Sequence, residues 1–458
     1  MIKLKRLAAA ALTLTLTLSM GTTALATEAT NSDTENLTQE EKDELYKKQL
    51  EEIYNKPVQS NDIEGWPAGP GTYGEAAIVM DAGTGAILYA KNIDDKHYPA
   101  SITKVLTALV AFENSEMDDE VTISADCVDF LQPGDSSIAL KKGNKLSMED
   151  ILYATLLASA NEAAYAVAEN AGKNAGYDYD WFIEQMNEKC DELGCVNSNW
   201  VNANGLHDEN HYTCARDMAL IGKELFEYPE FFDIVQTRQY IIEESDTVEE
   251  HVFQQKHKML LDGYQAYYPY AIGGKTGYTS DALNTLITMA DNGEQQLVCV
   301  VLREQGGKSY PDTTALFEYV FNNFKRISVA DLEQSEDVGE VLTNQDGGYV
   351  TLPEGVEFAD LKMQLTPDET PTGEATLTYT YEGNVVGTAR ATLSDSYIDE
   401  HKIKIEVVDD EKEKTGSSKD NKILLGAGII FVVLVIAFIR VSIMRRRKCR
   451  RRRSGRRR

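Results

Sequence analysis

Pro99-Ala100-Ser101-Ile102-Thr103-Lys104-Val105-Leu106-Thr107-Ala108-Leu109-Val110 carries apolar residues at helical spacing, namely Ile102, Val105, Leu106, Leu109 and Val110. A proline just before a helix start is well placed, because its missing N–H would have no partner there. The spacing predicts Ser101 in the first turn of a buried helix and Lys104 one turn later on the same face. A serine hydroxyl is a poor nucleophile until a base takes its proton. A lysine can serve once burial and nearby cations depress its pKa. The helix N-terminus adds a backbone N–H and partial positive charge beside any oxyanion that forms. Alone, the stretch reads equally well as a serine cap followed by a solvated lysine.

Two further signatures follow in order. Ser159-Ala160-Asn161 joins the apolar run 151–158 to Ala163, Ala164, Ala166, Val167 and Ala168, so it interrupts helical segments expected in the core. Polar groups there need partners. Ser159 could relay a proton between the Lys104 amine and a leaving group, and Asn161 could hold Lys104 and a substrate amide; a plain helix end is the simpler alternative. Lys275-Thr276-Gly277 follows Gly273-Gly274 and precedes predicted strands at 284–290 and 296–302, joined by an Asn292-Gly293 turn. An edge strand beginning at Lys275 would offer backbone donors and a cation to an extended peptide ending in a carboxylate, and Gly277 would let that backbone approach closely.

The ordered trio, with Met80-Asp81-Ala82-Gly83-Thr84-Gly85, Asn204-Gly205-Leu206-His207-Asp208, His211-Tyr212-Thr213 and Tyr278-Thr279, resembles the serine D-alanyl-D-alanine carboxypeptidases, the low-molecular-mass penicillin-binding proteins, over residues 72–324. The resemblance implies an α/β (α+β) β-lactamase/transpeptidase-like fold, with a five-stranded antiparallel sheet and a helical subdomain. It implies that Ser101 is acylated, that Lys104 is the base, and that Ser159, Asn161 and Lys275 complete the proton relay and bind substrate. Thr276 would contact the substrate carboxylate, Gly277 would allow close approach, and the N–H groups of Ser101 and Tyr278 would form the oxyanion hole. The implied reaction removes the terminal D-alanine from peptidoglycan stem pentapeptides, with β-lactams acylating the same serine. The chain departs from the family in having Ala282-Leu283 where Ala-Gly is common. It also has no arginine in Lys308-Ser309-Tyr310-Pro311-Asp312, where one helps hold the carboxylate.

Two other functions remain open. A β-lactamase needs fast deacylation, normally by a glutamate-positioned water, and no Glu-x-x-x-Asn stands where expected after Asn161. A silent wall-binding or sensor protein would have no need to retain Ser101, Lys104, Ser159, Asn161, Lys275 and Thr276. His207 and His211 lie four apart, but Gly205 and the loop-like Asp208-Glu209-Asn210 argue against one helical face and no third ligand is near, so neither metal nor cofactor is expected.

The ends of the chain indicate location. Lys3, Lys5 and Arg6 precede the apolar stretch 7–20, and Ala24-Leu25-Ala26 is a small-x-small cleavage site, so residues 1–26 read as a signal peptide. Residues 423–439 are 17 consecutive residues without a charge, and 422–444 reads as a transmembrane helix. The basic tail 445–458 belongs on the cytoplasmic side, so the enzyme is expected outside the membrane, facing the bacterial wall. The net charge of −29 divides into +3 for residues 1–26, +13 for 422–458 and −45 between them. That acidic exterior argues against nucleic acid as a partner.

Residues 27–71 read as an acidic leader with a helix at 39–54. Residues 329–408 read as a small all-β domain, with strands at 348–352, 361–365, 375–381, 385–393 and 403–408, and 409–421 as a linker. Of six cysteines, Cys449 lies beside the membrane in a position for acylation. Cys127, Cys190, Cys195, Cys214 and Cys299 form an odd external set. Cys190 and Cys195 could bridge if a helix ends at Gly194, and free thiols in a reducing habitat fit equally.

Overall fold

The run Gln296–Glu304 is almost continuously apolar, as expected of a strand buried on two faces. In the computed structural model, which describes residues 38–342, 348–368 and 372–401, it is the central strand of the main sheet. In chain order the elements are α1 (Gln39–Tyr54), β1 (Gly74–Asp81), β2 (Ile87–Lys91), α2 (Thr103–Asn114), β3 (Glu120–Thr122), β4 (Lys145–Ser147), α3 (Met148–Tyr153), α4 (Asn161–Ala175), α5 (Tyr179–Glu192), α6 (Ala215–Glu224), α7 (Pro229–Gln236), β5 (Gln239–Ile242), β6 (His251–Gln254), β7 (Ala271–Thr279), β8 (Leu283–Asp291), β9 (Gln296–Glu304), α8 (Ser309–Asn323), β10 (Phe324–Ser328), β11 (Val338–Leu342), β12 (Tyr349–Pro353), β13 (Lys362–Pro367), β14 (Glu374–Tyr381), β15 (Asn384–Leu393) and α9 (Asp395–His401). The five-stranded sheet runs β2-β1-β9-β8-β7, antiparallel throughout, with β7 at its edge.

Successive strand residues face opposite sides, so each strand feeds two layers. Ile78, Met80, Ile287, Met289, Val298 and Val300 pack with Val105 and Leu109 of α2 and Met218 and Ile221 of α6. Ala77, Val79, Leu286, Leu297, Cys299 and Val301 join Leu316, Phe317 and Val320 of α8. That second layer also holds Val350, Leu377, Tyr379 and Val386 from a second antiparallel sheet, β10-β12-β15-β14-β13 with β11 on β15, so both sheets bury residues in one core. Fully buried Asp81 fastens them. Its carboxylate accepts the N–H groups of Gly83 and Thr84, Nη2 and Nε of Arg326 at 2.9 and 3.2 Å, and the Thr351 hydroxyl at 2.9 Å.

α1 occupies the predicted range and starts at a capping box between Thr38 and Glu41. Beyond α1 the leader packs into the second layer through Val58 and Trp66. Trp66 stands edge-on to Phe324, and buried Lys91 donates to the carbonyls of Ile53, Thr72 and Gly74 at 2.8, 2.7 and 3.0 Å. The strands predicted at 348–352, 361–365, 375–381 and 385–393 are present as β12 to β15 with small end shifts, and β10 and β11 are additional. The signal segment 1–26, the strand at 403–408, the linker 409–421, the transmembrane segment 422–444 and the tail 445–458 lie outside the described residues. Among the described residues no helix is long and apolar enough to cross a membrane.

Candidate active site

Ser101 lies in a short 3-10 turn, Ala100–Ile102, that runs into α2, where the sequence predicts α-helix from the start. The tighter turn follows from Ala100, whose φ of 50° is a left-handed conformation that costs about 1–3 kcal/mol outside glycine. A hydrogen-bond chain holds it. Val201 N–H donates to His211 Nδ1 at 3.2 Å, leaving Nε2–H to donate to Thr103 Oγ1 at 2.9 Å, and Thr103 donates in turn to the Ala100 carbonyl at 2.8 Å. Burial pushes His211 down to about 3, so the ring is neutral, and both of its nitrogens are spent on this scaffold. Gly205, at φ 84°, lies against the same carbonyl, where a Cβ would overlap it.

Lys104 is fully buried behind Ser101. Its Nζ lies 3.0 Å from Ser101 Oγ, 2.9 Å from Asn161 Oδ1 and 2.5 Å from the Asn204 carbonyl oxygen. Two of these three partners only accept. A neutral amine has two N–H groups and one lone pair, so it can donate to Asn161 and Asn204 while its lone pair faces the serine O–H. Burial, then the charges of Lys275 and Lys256, hold the lysine well below its usual range.

Ser159 closes a π turn, Ala154–Ala158, and takes a left-handed φ of 61°, after which Asn161 opens α4. π turns of this kind often mark functional sites. Lys275, 2% exposed, arrives from β7 and donates to Ser159 Oγ at 3.0 Å and to the Thr276 carbonyl at 2.8 Å. Burial, then Lys256, lowers it to about 7. The edge strand also presses on the nucleophile's turn, since a Cβ on Gly277 would lie 2.9 Å from Ser101 N. Thr285 of β8 ties the same turn by donating to the Pro99 carbonyl at 2.7 Å.

A cleft of about 720 Å³ opens over this constellation, lined by Ser101, Ser159, Asn161, Thr276, Gly277 and Tyr278, with Lys104 and Lys275 buried behind its wall. The structure thus gathers all eight residues singled out in the sequence. It adds contributors outside the three signatures: the Asn204 carbonyl, Asp135, Lys256 and Lys258. Glu162 holds the loop bearing Asp135 by accepting from Ser137 Oγ and Ile138 N at 2.6 and 2.8 Å.

Arg303 is turned away, with Nε on Glu75 at 3.1 Å and Nη1 on the Asp281 carbonyl at 2.7 Å, and so does not stand in for an arginine of the cleft. Leu283 takes φ 58°, the backbone conformation suited to the glycine common at its position in the family. Cys190 and Cys195 are free thiols even though the chain turns at Gly194 as expected, and Cys190 Sγ accepts from Trp200 Nε1 at 3.0 Å.

The chain is similar to several known proteins. The D-alanyl-D-alanine carboxypeptidase DacF of Bacillus subtilis is 30% identical over 264 residues, which are 55% of this chain and 63% of that one, so the chain spans less than two thirds of that relative. DacB2 of Mycobacterium tuberculosis, another D-alanyl-D-alanine carboxypeptidase, is 31% identical over 58% of this chain and 87% of its own length. The crystal structure of the Streptomyces K15 DD-transpeptidase superimposes with a TM-score of 0.51 at 26% identity, covering 56% of this chain and 100% of that one. Residues 67–306, more than half of the sequence, match the peptidase S11 family of D-alanyl-D-alanine carboxypeptidases, and the chain belongs to that family.

Proposed function

We propose that this protein is a serine-type D-alanyl-D-alanine carboxypeptidase that removes the terminal D-alanine from peptidoglycan stem pentapeptides, and that β-lactams are trapped on the same serine. The observation that carries the reading is the placing of Lys104 Nζ, with two accepting partners and Ser101 Oγ at 3.0 Å. Ser101 gives its proton to the Lys104 lone pair as Oγ attacks the penultimate carbonyl. The oxyanion is received by the N–H groups of Ser101 and Tyr278. The proton then passes through the Ser159 hydroxyl, held by Lys275, to the D-alanine nitrogen. The C–N bond breaks, D-alanine leaves, and water attacks the ester by the same route in reverse. Thr276 and the cleft lysines favour a substrate ending in a carboxylate.

The reading includes export through the signal segment 1–26 and anchoring by residues 422–444, with the active site on the wall side. It is supported by the uncharged run 423–439 and the arginines behind it. Intact mass spectrometry of the full chain with a penicillin, and separately with a pentapeptide ending in D-Ala-D-Ala, tests the chemistry against Ser101→Ala. A stable adduct on Ser101 with released D-alanine is expected. Rapid penicillin turnover would indicate a β-lactamase, and no reaction with either ligand would indicate a binding protein. Deletion of 422–458 tests the anchor, since it should release the protein from membranes.

A further inference from the structure

Lys256 belongs to none of the three motifs, yet it reaches the site. It stands two residues beyond β6 with an exposed stem, and its ammonium turns inward to donate to the carbonyl of Ala158. That carbonyl ends the π turn that presents Ser159. Lys256 lines the cleft together with Ser101 and Asn161. Among the described residues no carboxylate pairs with it, although Asp135 lines the same cleft.

Lys104, Lys275 and Lys256 therefore converge on one side of a cleft that Lys258 also lines, and their charges compete. Lys256 is exposed as a residue and its ammonium only partly loses hydration, whereas Lys104 and Lys275 are buried throughout, so mutual repulsion removes the protons from the buried pair first. We infer that Lys256 is a positioning residue whose retained charge disfavours ammonium forms of Lys104 and Lys275, leaving Lys104 able to act as the base. The inference rests on the acyl-transfer reading above.

The surrounding groups fit this division. Lys104 faces Lys275 and Lys256 on one side, with Glu162 of α4 and Asp135 opposing them more weakly. For Lys275 the charge that counts after burial is Lys256. The imidazoles nearest the pair, His211 beside Lys104 and His257 beside Lys275, are both pushed to about 3 by burial and carry no charge at neutral pH. Burial lowers Lys256 as well, through its inward-turned ammonium.

The test uses the full chain with Lys256→Met, which keeps the stem and loses the charge, and Lys256→Arg, which keeps the charge. Acylation by a fluorescent penicillin is followed from pH 5 to 10. Lys256→Met should move the acid limb of the rate profile upward by about one pH unit, slowing acylation about tenfold below it, and Lys256→Arg should return the limb to its wild-type position. A limb that stays in place in Lys256→Met, or a loss of equal size at every pH, would overturn the proposal. If the wild-type chain is inert to penicillin, the acyl-transfer reading fails. Titration of the lysine ¹⁵Nζ resonances then still decides the charge effect, by whether Lys275 moves upward in Lys256→Met.

Discussion

Lys275 Nζ lies 3.0 Å from Ser159 Oγ, a contact that joins the edge of the main sheet to the π turn of the helical side across 116 residues of chain. Neither partner is free to drift, because the lysine is 2% exposed and its second hydrogen bond goes to its own strand, at the Thr276 carbonyl. The cleft wall is thus built where two elements distant in sequence meet, and the meeting point is a cation that burial has made easy to deprotonate.

That burial has a cost with a definite pH dependence. Lys275 falls from 10.5 to about 7 in the fold. Below pH 7 it is charged in folded and unfolded chains, and the full desolvation cost is present. Between 7 and 10.5 the unfolded chain holds a proton that the folded one lacks, so its contribution to stability rises with pH, and above 10.5 the cost is gone. Lys275→Met should therefore stabilise the protein at pH 6, on the order of 2 kcal/mol after the lost hydrogen bonds are allowed for. The advantage should shrink toward pH 10. Denaturation midpoints of the two proteins across that range check the sign; a constant gap would contradict it.

Lys104→Arg separates charge from basicity. A guanidinium does not give up its proton at any working pH, so it cannot receive the one on Ser101. Acylation by penicillin should fall about 10²- to 10⁴-fold, with no recovery up to pH 10. Recovery at high pH would mean that another group serves as base.

Asp81→Ala removes the carboxylate that gathers Arg326, Thr351 and the Gly83–Thr84 turn at a fully buried position. Arg326 is left without its counter-charge, which should cost about 3 kcal/mol. Because the two sheets bury residues in one core, calorimetry should still show one transition at lower temperature. Two resolved transitions would show that the sheets unfold separately.

Much of the site was legible because each motif carries its own local physics. The apolar period of 102–110 announces α2, the alanines around Ser159 announce a core helix pair, and Gly277 announces a strand that something must approach. The contacts that escaped notice act over long separations. The Asn204 carbonyl binds Lys104 across 100 residues, and Lys256 meets Ala158 across 98, with no periodicity to mark either. Boundaries without punctuation were hidden as well. α8 passes into β10 between Asn323 and Phe324 with neither glycine nor proline, so the second sheet starts earlier than composition suggests. Leu283 and Ala100 take left-handed backbone angles that their side chains disfavour, and only the surrounding packing enforces them.

Gly277→Ala tests whether that packing sets the chemistry. The added Cβ would overlap Thr285 Oγ1 and lie 2.9 Å from Ser101 N and 3.1 Å from Ile102 N. Thr285 cannot yield without releasing the Pro99 carbonyl, and the N–H groups of the 3-10 turn cannot yield without moving the nucleophile. The edge strand must therefore swing outward, carrying Thr276 and Tyr278 with it. A displacement of about 1 Å at a reacting centre costs about 10²-fold in rate, whereas a local shift at a sheet edge costs little stability. The expected result is a folded protein with a melting temperature within a few degrees of wild type, acylated by penicillin about 10²-fold more slowly. Acylation at the wild-type rate would mean that β7 has slack against Ser101. The close approach of Gly277 would then be a consequence of the fold and not a requirement of the reaction.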